Sequence, residues 1–204
     1  MRLFLGTMLA LPQQLLVGEV QESLAQAKGA KPVAPNKLHM TWLFLGEVGE
    51  SKLESLRGKL KVLLAREKLA SYKLPETLQF DQAVIWPNPG KPDLPGYMVL
   101  VPSDKQDLEP IINLGKLFRR ELSSYVEKGD NSAFRPHITV WRFKPAEDTV
   151  SLAKQALETS CSSKLLPLRL AIDKLALIQS HTGDARNHYE VVEHHSLMDM
   201  SINQ

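Results

Sequence analysis

Two segments of this 204-residue chain, one in each half, repeat a single pattern. They are Leu38-His39-Met40-Thr41-Trp42 and Pro136-His137-Ile138-Thr139-Val140. Each sets a histidine and a threonine two apart among large apolar residues. In a strand, residues i and i+2 share a face. Each histidine therefore stands beside its threonine on one surface, while Met40, Trp42, Ile138 and Val140 point the other way and anchor the strand in a core. Chance supplies roughly 0.2 copies of His-x-Thr in a chain of this composition. One copy would mean little; two, both in apolar strands, constrain the fold to a pair of matched half-buried strands.

The rest of the chain supplies partners for them. Arg2–Ala10 reads as a first strand, buried on both faces. Leu16, Val20, Leu24 and Ala27 recur at helical spacing, predicting a helix from about Pro12 to Lys28. Gly29–Asn36 reads as a loop and Lys37–Leu45 as a strand stopped by Gly46. Leu53, Leu56, Leu60, Leu63 and Leu64 mark a second helix. Leu78–Ile85 is expected as a strand, followed by an extended loop from Pro87 to Gly96 and a short strand at Tyr97–Val101. A third helix follows Leu108, Ile111, Ile112, Gly115, Phe118, Leu122 and Tyr125, with Pro110 in its first turn. Glu127–Ala133 reads as a polar loop, Arg135–Phe143 as a strand, and Thr149–Thr159 as a helix. Leu168–Gln179 reads as one long strand, Ser180–Asn187 as a turn region, and Tyr189–Val192 as a closing strand. Strand, helix, strand and helix appear in each half. No linker divides the chain, so residues 1–204 are read as a single α+β domain of two similar lobes.

Composition narrows the function. A net charge of +2 is far from that of a protein that coats duplex nucleic acid. A small or end-recognised substrate fits better. Cys161 is the only cysteine, which rules out an internal disulfide and a cysteine-based zinc set and points to a reducing cytoplasm. The apolar run from Leu3 to Leu11 lacks a cleavage pattern, and the charge-free stretch to Gly18 is too short and too interrupted for a membrane span.

Two imidazoles flanking a phosphate can perform general acid and general base catalysis together, because histidine titrates close to neutral pH. Threonine hydroxyls can donate to non-bridging phosphate oxygens. The pair thus points to cleavage of a phosphodiester, with a rate optimum near neutrality if both titrate as free histidine does.

Arg2-Leu3-Phe4-Leu5, the run from Leu38 to Val48 and Pro136-His137-Ile138-Thr139-Val140-Trp141-Arg142 together resemble the RNA 2′,3′-cyclic phosphodiesterase family, also called the 2′-5′ RNA ligase family, within the 2H phosphoesterases. Leu168–Leu177 and Tyr189-Glu190-Val191 resemble its closing strands. The resemblance implies antiparallel sheets facing a central cleft, with helices outside. It implies that His39 protonates the leaving 3′ oxygen, that His137 activates water, and that Thr41 and Thr139 bind the phosphate. Phe44 and Arg142, five beyond each histidine, would lie near the nucleotide, as a stacking platform and a phosphate contact. Strict alternation puts both on the wrong face, so they reach the site only if each strand bulges after its threonine. Where an aromatic is common before the first motif, this chain has Lys31-Pro32-Val33. The expected partner is an RNA or oligonucleotide end bearing a cyclic phosphate, and the expected state is a monomer without a membrane.

Other residues are read plainly. Lys37 and Arg135 are taken as solvated surface, Trp86 as a lid or an ordered connection, and Cys161 as inert. His181, His188, His194 and His195 match no familiar zinc spacing and no acidic cluster accompanies them, so neither metal nor other cofactor is expected. Reversible 2′-5′ joining of RNA at the same site, and a non-catalytic RNA-end binder, are the alternatives to hydrolysis.

Overall fold

A computed structural model describes residues 1–22, 24, 27–103, 108–127, 133–181 and 187–197. Its centre is an antiparallel sheet made of two halves. Strand β1 (Arg2–Met8) pairs with β3 (His39–Glu47) on one side and β9 (Lys174–His181) on the other, and β9 pairs with β10 (His188–Ser196). The second half comprises β7 (Ile138–Phe143), β6 (Lys91–Val101) and β5 (Gln82–Asn88), with the short β2 (Ala30–Pro32) on the other edge of β7. The halves meet at one register pair between β3 and β7, Met40 with Ile138. A separate ribbon joins β4 (Thr77–Phe80) to β8 (Leu168–Ala171).

Among the described residues five α-helices accompany the sheet: α1 (Leu11–Glu22), α2 (Glu50–Leu63), the short α3 (Arg66–Leu69), α4 (Glu109–Glu121) and α5 (Thr149–Ser162). α4 packs on β3, α1 on β7, and α5 on β5 and β6. The face they cover is the one opposite the histidines. It buries Met40, Trp42, Ile138 and Val140 with Ile111, Leu114 and Phe118 of α4. Antiparallel sheets around a cleft with helices outside is the expected class.

Several boundaries differ from the sequence reading, each for a local reason. α1 ends at Glu22 instead of continuing to Lys28; beyond it Leu24 and Ala27 donate to carbonyls three residues back. Part of the expected loop at Gly29–Asn36 is β2, which completes the edge of β7 where β3 has turned away. β3 runs through Gly46 to Glu47, because glycine adopts the φ of +75° needed there and leaves room for Glu127. The strand containing the second motif starts at Ile138 instead of Arg135, since Pro136 has no N–H to offer a ladder.

The expected strand over Leu78–Ile85 is two strands in different sheets, parted at Asp81, whose carboxylate accepts from the Ser103 N–H. Leu168–Gln179 is likewise split at Ile172-Asp173. Between Pro87 and Gly96 the chain forms a hairpin instead of an extended loop. Asn88 closes its turn by accepting from the Gly90 N–H, and the register slips at Pro87. An edge strand with slipped register tolerates prolines that a central strand would not. The expected loops at Glu127–Ala133 and Ser180–Asn187 fall largely outside the described residues.

One contact fixes the approach to β7. The Phe134 ring stacks on Trp42 with centroids 5.4 Å apart and planes at 10°. It lies so close to α4 that a Cβ on Gly115 would sit 2.4 Å from the ring. Gly115→Ala is therefore expected to lose about 1–3 kcal/mol through overpacking, despite alanine's better helix propensity. Gly58→Ala in α2, where a Cβ meets nothing within 4 Å, is expected to gain about 0.4–1 kcal/mol. Urea denaturation of the two variants beside the wild type checks both signs.

Candidate active site

The single β3–β7 pair sets the geometry of the site. Met40 and Ile138 are fully buried, so their neighbours in each strand face the other way, into the cleft. Extending the antiparallel register by one residue in each direction sets His39 across from Thr139 and Thr41 across from His137. All four are half-buried. The two histidines lie on a diagonal, which in an antiparallel pair spans roughly 7–8 Å. That separation suits one phosphate held between them, with the threonines on the other diagonal.

Each histidine is held the same way. His39 Nδ1–H donates to the Lys37 carbonyl at 2.6 Å, and His137 Nδ1–H donates to the Arg135 carbonyl at 2.8 Å. A carbonyl can only accept, so both rings carry a proton on Nδ1 and leave Nε2 for chemistry. Lys37 and Arg135, read as surface from the sequence, thus contribute their backbones to the site.

Phe44 and Arg142 also reach the cleft, through a matched pair of bulges. In β3 the register with β1 passes from Gly6–Thr41 to Leu5–Leu43, so Trp42 is the extra residue. In β7 the register with β6 passes from Val99–Thr139 to Met98–Trp141, so Val140 is the extra residue. In both strands two successive residues after the threonine are buried, and the next, Phe44 or Arg142, is exposed. Phe44, 51% exposed, contacts the Phe4 ring at 5.7 Å, and Phe4 in turn contacts His39 at 4.9 Å. The positive charge of Arg142 is felt at both His39 and Lys37.

The sequence reading missed the aromatic wall. Phe4 and Tyr189 pack against His39, with ring centroids at 4.9 and 5.4 Å. Trp86 packs against His137 at 4.5 Å. Phe4, Ala176 and Ile178, with Met8 and Tyr189 against them, form a small apolar cluster apart from the main core. None of these residues is near a motif in sequence; strand pairing alone brings them in. Lys37 stands over the Tyr189 ring at 5.3 Å and donates to the Asn187 carbonyl. Lys31 faces Arg142 across the β2–β7 pair.

Burial by this wall sets the protonation states. It lowers the His39 pKa to about 4; the Lys37 carbonyl opposes that, and the positive charges of His137 and Arg142 add to it. Burial also lowers the His137 pKa, against the opposing effect of the Arg135 carbonyl. Both imidazoles are therefore neutral at pH 7 in the free protein. The sequence expectation of ordinary histidine titration is corrected on this point. Lys37 is lowered too, by burial and then by Arg142 and Lys31, which marks a cluster of three cations beside the cleft.

A model of the 2′-5′ RNA ligase superfamily matches residues 12–184 of the chain. A protein of Archaeoglobus fulgidus named RNA 2′,3′-cyclic phosphodiesterase is 31% identical over 134 residues, which are 63% of this chain and 64% of that protein. The alignment thus spans just under two thirds of that relative's length. One of the same name from Thermus thermophilus is 27% identical over 203 residues, 97% of this chain and 90% of that protein. Among solved structures, TT0787 of Thermus thermophilus superposes with a TM-score of 0.70 at 24% identity, covering 97% of this chain and 98% of that one. LigT of E. coli complexed with 3′-AMP superposes at 0.69 with 20% identity and the same coverage. At these identities the superpositions establish the shared fold.

A histidine whose pKa is lowered by folding makes stability depend on pH. Between about 4 and 6.5 the unfolded chain binds a proton at residue 39 that the folded chain does not, so stability falls as pH drops through that window. Replacing His39 with glutamine removes that contribution. Urea midpoints at pH 7 and pH 5 are expected to differ less in His39→Gln than in the wild type; an equal difference would show that His39 titrates normally.

Proposed function

The chain belongs to the 2′-5′ RNA ligase superfamily, and from that membership together with the geometry of the cleft we propose that it hydrolyses RNA 2′,3′-cyclic phosphate ends to 2′-phosphates. The observation that carries the reading is the crossed arrangement of two Nδ1-anchored histidines and two threonines about one strand pair. The names of the two curated relatives support the substrate class.

In this mechanism the cyclic phosphate lies between the rings. His137 Nε2 removes a proton from a water as the water oxygen bonds to phosphorus. The bond from phosphorus to the 3′ oxygen breaks, and His39 Nε2 supplies the proton that oxygen needs. Each transfer contributes roughly 10²–10⁴-fold. The hydroxyls of Thr41 and Thr139 donate to the non-bridging oxygens, and Arg142 meets the remaining charge. Phe44, with Phe4 behind it, offers a face for a base. With a ribose 5′-hydroxyl in place of water as the nucleophile and the same 3′ oxygen leaving, the same groups would perform 2′-5′ joining, the activity in the family's name.

His39 must be protonated to act, yet in the free protein it is neutral at pH 7. The substrate resolves this. A phosphate monoanion opposes the charge of Arg142 that helps to hold the His39 pKa down. Binding therefore draws a proton onto His39. Lys31 and Lys37 extend the positive field beside the cleft and favour an anionic ligand. We read the whole chain as a single bilobal domain in which β1, α1, β3 and α2 correspond to β6, α4, β7 and α5 by duplication.

His39→Ala and His137→Ala are each expected to abolish most hydrolysis of a cyclic-phosphate-ended oligonucleotide, with circular dichroism unchanged. Thr41→Ala and Thr139→Ala should each remove one charge-assisted hydrogen bond, about 1.5–3 kcal/mol, or roughly 10- to 150-fold in rate. Product mass with phosphatase mapping is expected to show a 2′-phosphate. A 3′-phosphate would exchange the roles of the two histidines, and near-normal turnover in either histidine variant would refute the mechanism.

The lowered pKa values also fix a pH signature. The kcat/KM profile reports the free enzyme, so its bell should peak on the acid side of 6.5. The kcat profile, which reports the bound state, should peak at higher pH. A kcat/KM maximum above neutrality would contradict the assignment. Activity should also survive dialysis against EDTA, because every proton transfer in this mechanism belongs to a side chain.

A further inference from the structure

Antiparallel pairing decides which side chains of two strands meet. In the β9–β10 hairpin His181 pairs with His188, and Gln179 pairs with Glu190. His188 and Glu190 therefore share a face of β10, and His181 lies opposite the first and diagonal to the second. The two imidazoles stack with centroids 4.3 Å apart and planes at 7°. His181 Nε2–H donates to the Glu190 carboxylate at 2.8 Å. One ligating atom from each of the three residues lies within 4.8 Å of the other two. The sequence spacing hides this trio, because the hairpin register, not distance along the chain, assembles it.

We propose that His181, His188 and Glu190 form a binding site for a divalent transition-metal cation of the zinc class, clipping the β9–β10 hairpin at the end where β9 leads into β10. Two imidazole nitrogens and one carboxylate oxygen are a donor set that zinc takes with a water as fourth ligand. Ligand atoms about 2.0–2.1 Å from a tetrahedral ion stand roughly 3.3 Å from one another. The observed spread needs only side-chain rotation to meet that, since the ladder already fixes both backbones. The proton that His181 now gives to Glu190 is the one the ion displaces. Imidazole donors select zinc, copper or nickel over magnesium or calcium.

The clip has a consequence for the cleft. Tyr189 lies between His188 and Glu190 and points to the opposite face, where its ring meets His39 edge-on at 5.4 Å and Phe4 at 5.0 Å. Lys37, whose carbonyl anchors His39, also donates to the carbonyl of Asn187 at the start of the same strand. An ion holding residues 181, 188 and 190 together thus pins the strand that carries Tyr189 against the histidine. It takes no part in bond making or breaking.

The test is a competition titration of Zn²⁺ against a chromophoric chelator on the full chain at pH 7.5, with Mg²⁺ in a parallel arm. The readout is a binding constant, so it stands or falls separately from the phosphodiesterase reading. One ion is expected to bind, with at least a tenfold loss of affinity in His181→Ala and in His188→Ala and a smaller loss in Glu190→Gln. His188→Gln serves as the second variant if thermal melting shows that His188→Ala perturbs the hairpin. His39→Ala and His137→Ala should bind as the wild type does, and Mg²⁺ should not compete at equal concentration. Unchanged zinc affinity in both His181 and His188 variants, loss of the ion in His39→Ala, or equal competition by Mg²⁺ would each overturn the proposal.

Discussion

The structure depends on how little β3 and β7 share. Among the described residues their register consists of the pair Met40 and Ile138. That contact is enough to join the two halves because both side chains are fully buried in the common core. It is also brief enough that the strands can part at once, β3 following β1 and β7 following β6 and β2. The cleft is the space opened by this parting. The residues flanking the shared pair therefore lie deep in the cleft, on facing strands, at a spacing set by the antiparallel ladder. A longer shared register would close the cleft into a continuous sheet face.

The matched bulges matter nearly as much. An inserted residue leaves backbone groups unpaired and reverses side-chain parity. Here the insertion falls just after each threonine, so the parity reversal brings Phe44 and Arg142 to the side of the histidines. The loose groups at the second bulge are answered from elsewhere. The Val140 carbonyl accepts from the buried Gln21 side chain of α1 at 2.8 Å and from the Val33 N–H at 2.9 Å. At the first bulge, the Trp42 indole N–H donates to Thr7 Oγ1, which donates to the Lys174 carbonyl. Buried polar groups left without such partners would each cost about 1–3 kcal/mol. Helix α1 and strand β9 thus hold each bulge in place.

Polarity completes the design. An aromatic wall around the proposed acid and base withdraws them from water, which lowers their affinity for protons in the free protein. Lys31, Lys37 and Arg142 gather next to the wall and repel further positive charge. A neutral histidine pair among cations lacks one component, an anion, and a phosphodiester supplies it. On this reading the substrate provides part of the electrostatics that makes it reactive.

The motif residues were legible in the sequence because strand alternation is a local rule. His39 with Thr41, His137 with Thr139, and the burial of Met40 and Ile138 all follow from a period of two. The mixed class and most helices followed from periodicity as well. Splitting of Leu78–Ile85 and of Leu168–Gln179 between two sheets could not be read so, since the apolar pattern runs on while hydrogen-bond partners change. The prolines from Pro87 to Pro95 looked like a loop because their place on an edge with slipped register is a tertiary fact. Alternation alone set Phe44 and Arg142 on the wrong face, and only the bulges, fixed by β1 and β6, turned them. Nothing local tells that Phe4, Trp86 and Tyr189 pack against the two histidines. The sequence determined which residues could do proton chemistry on a phosphate. The fold decided which of them meet, how dry their surroundings are and therefore when they hold a proton, because pairing and burial are properties of distant segments brought together.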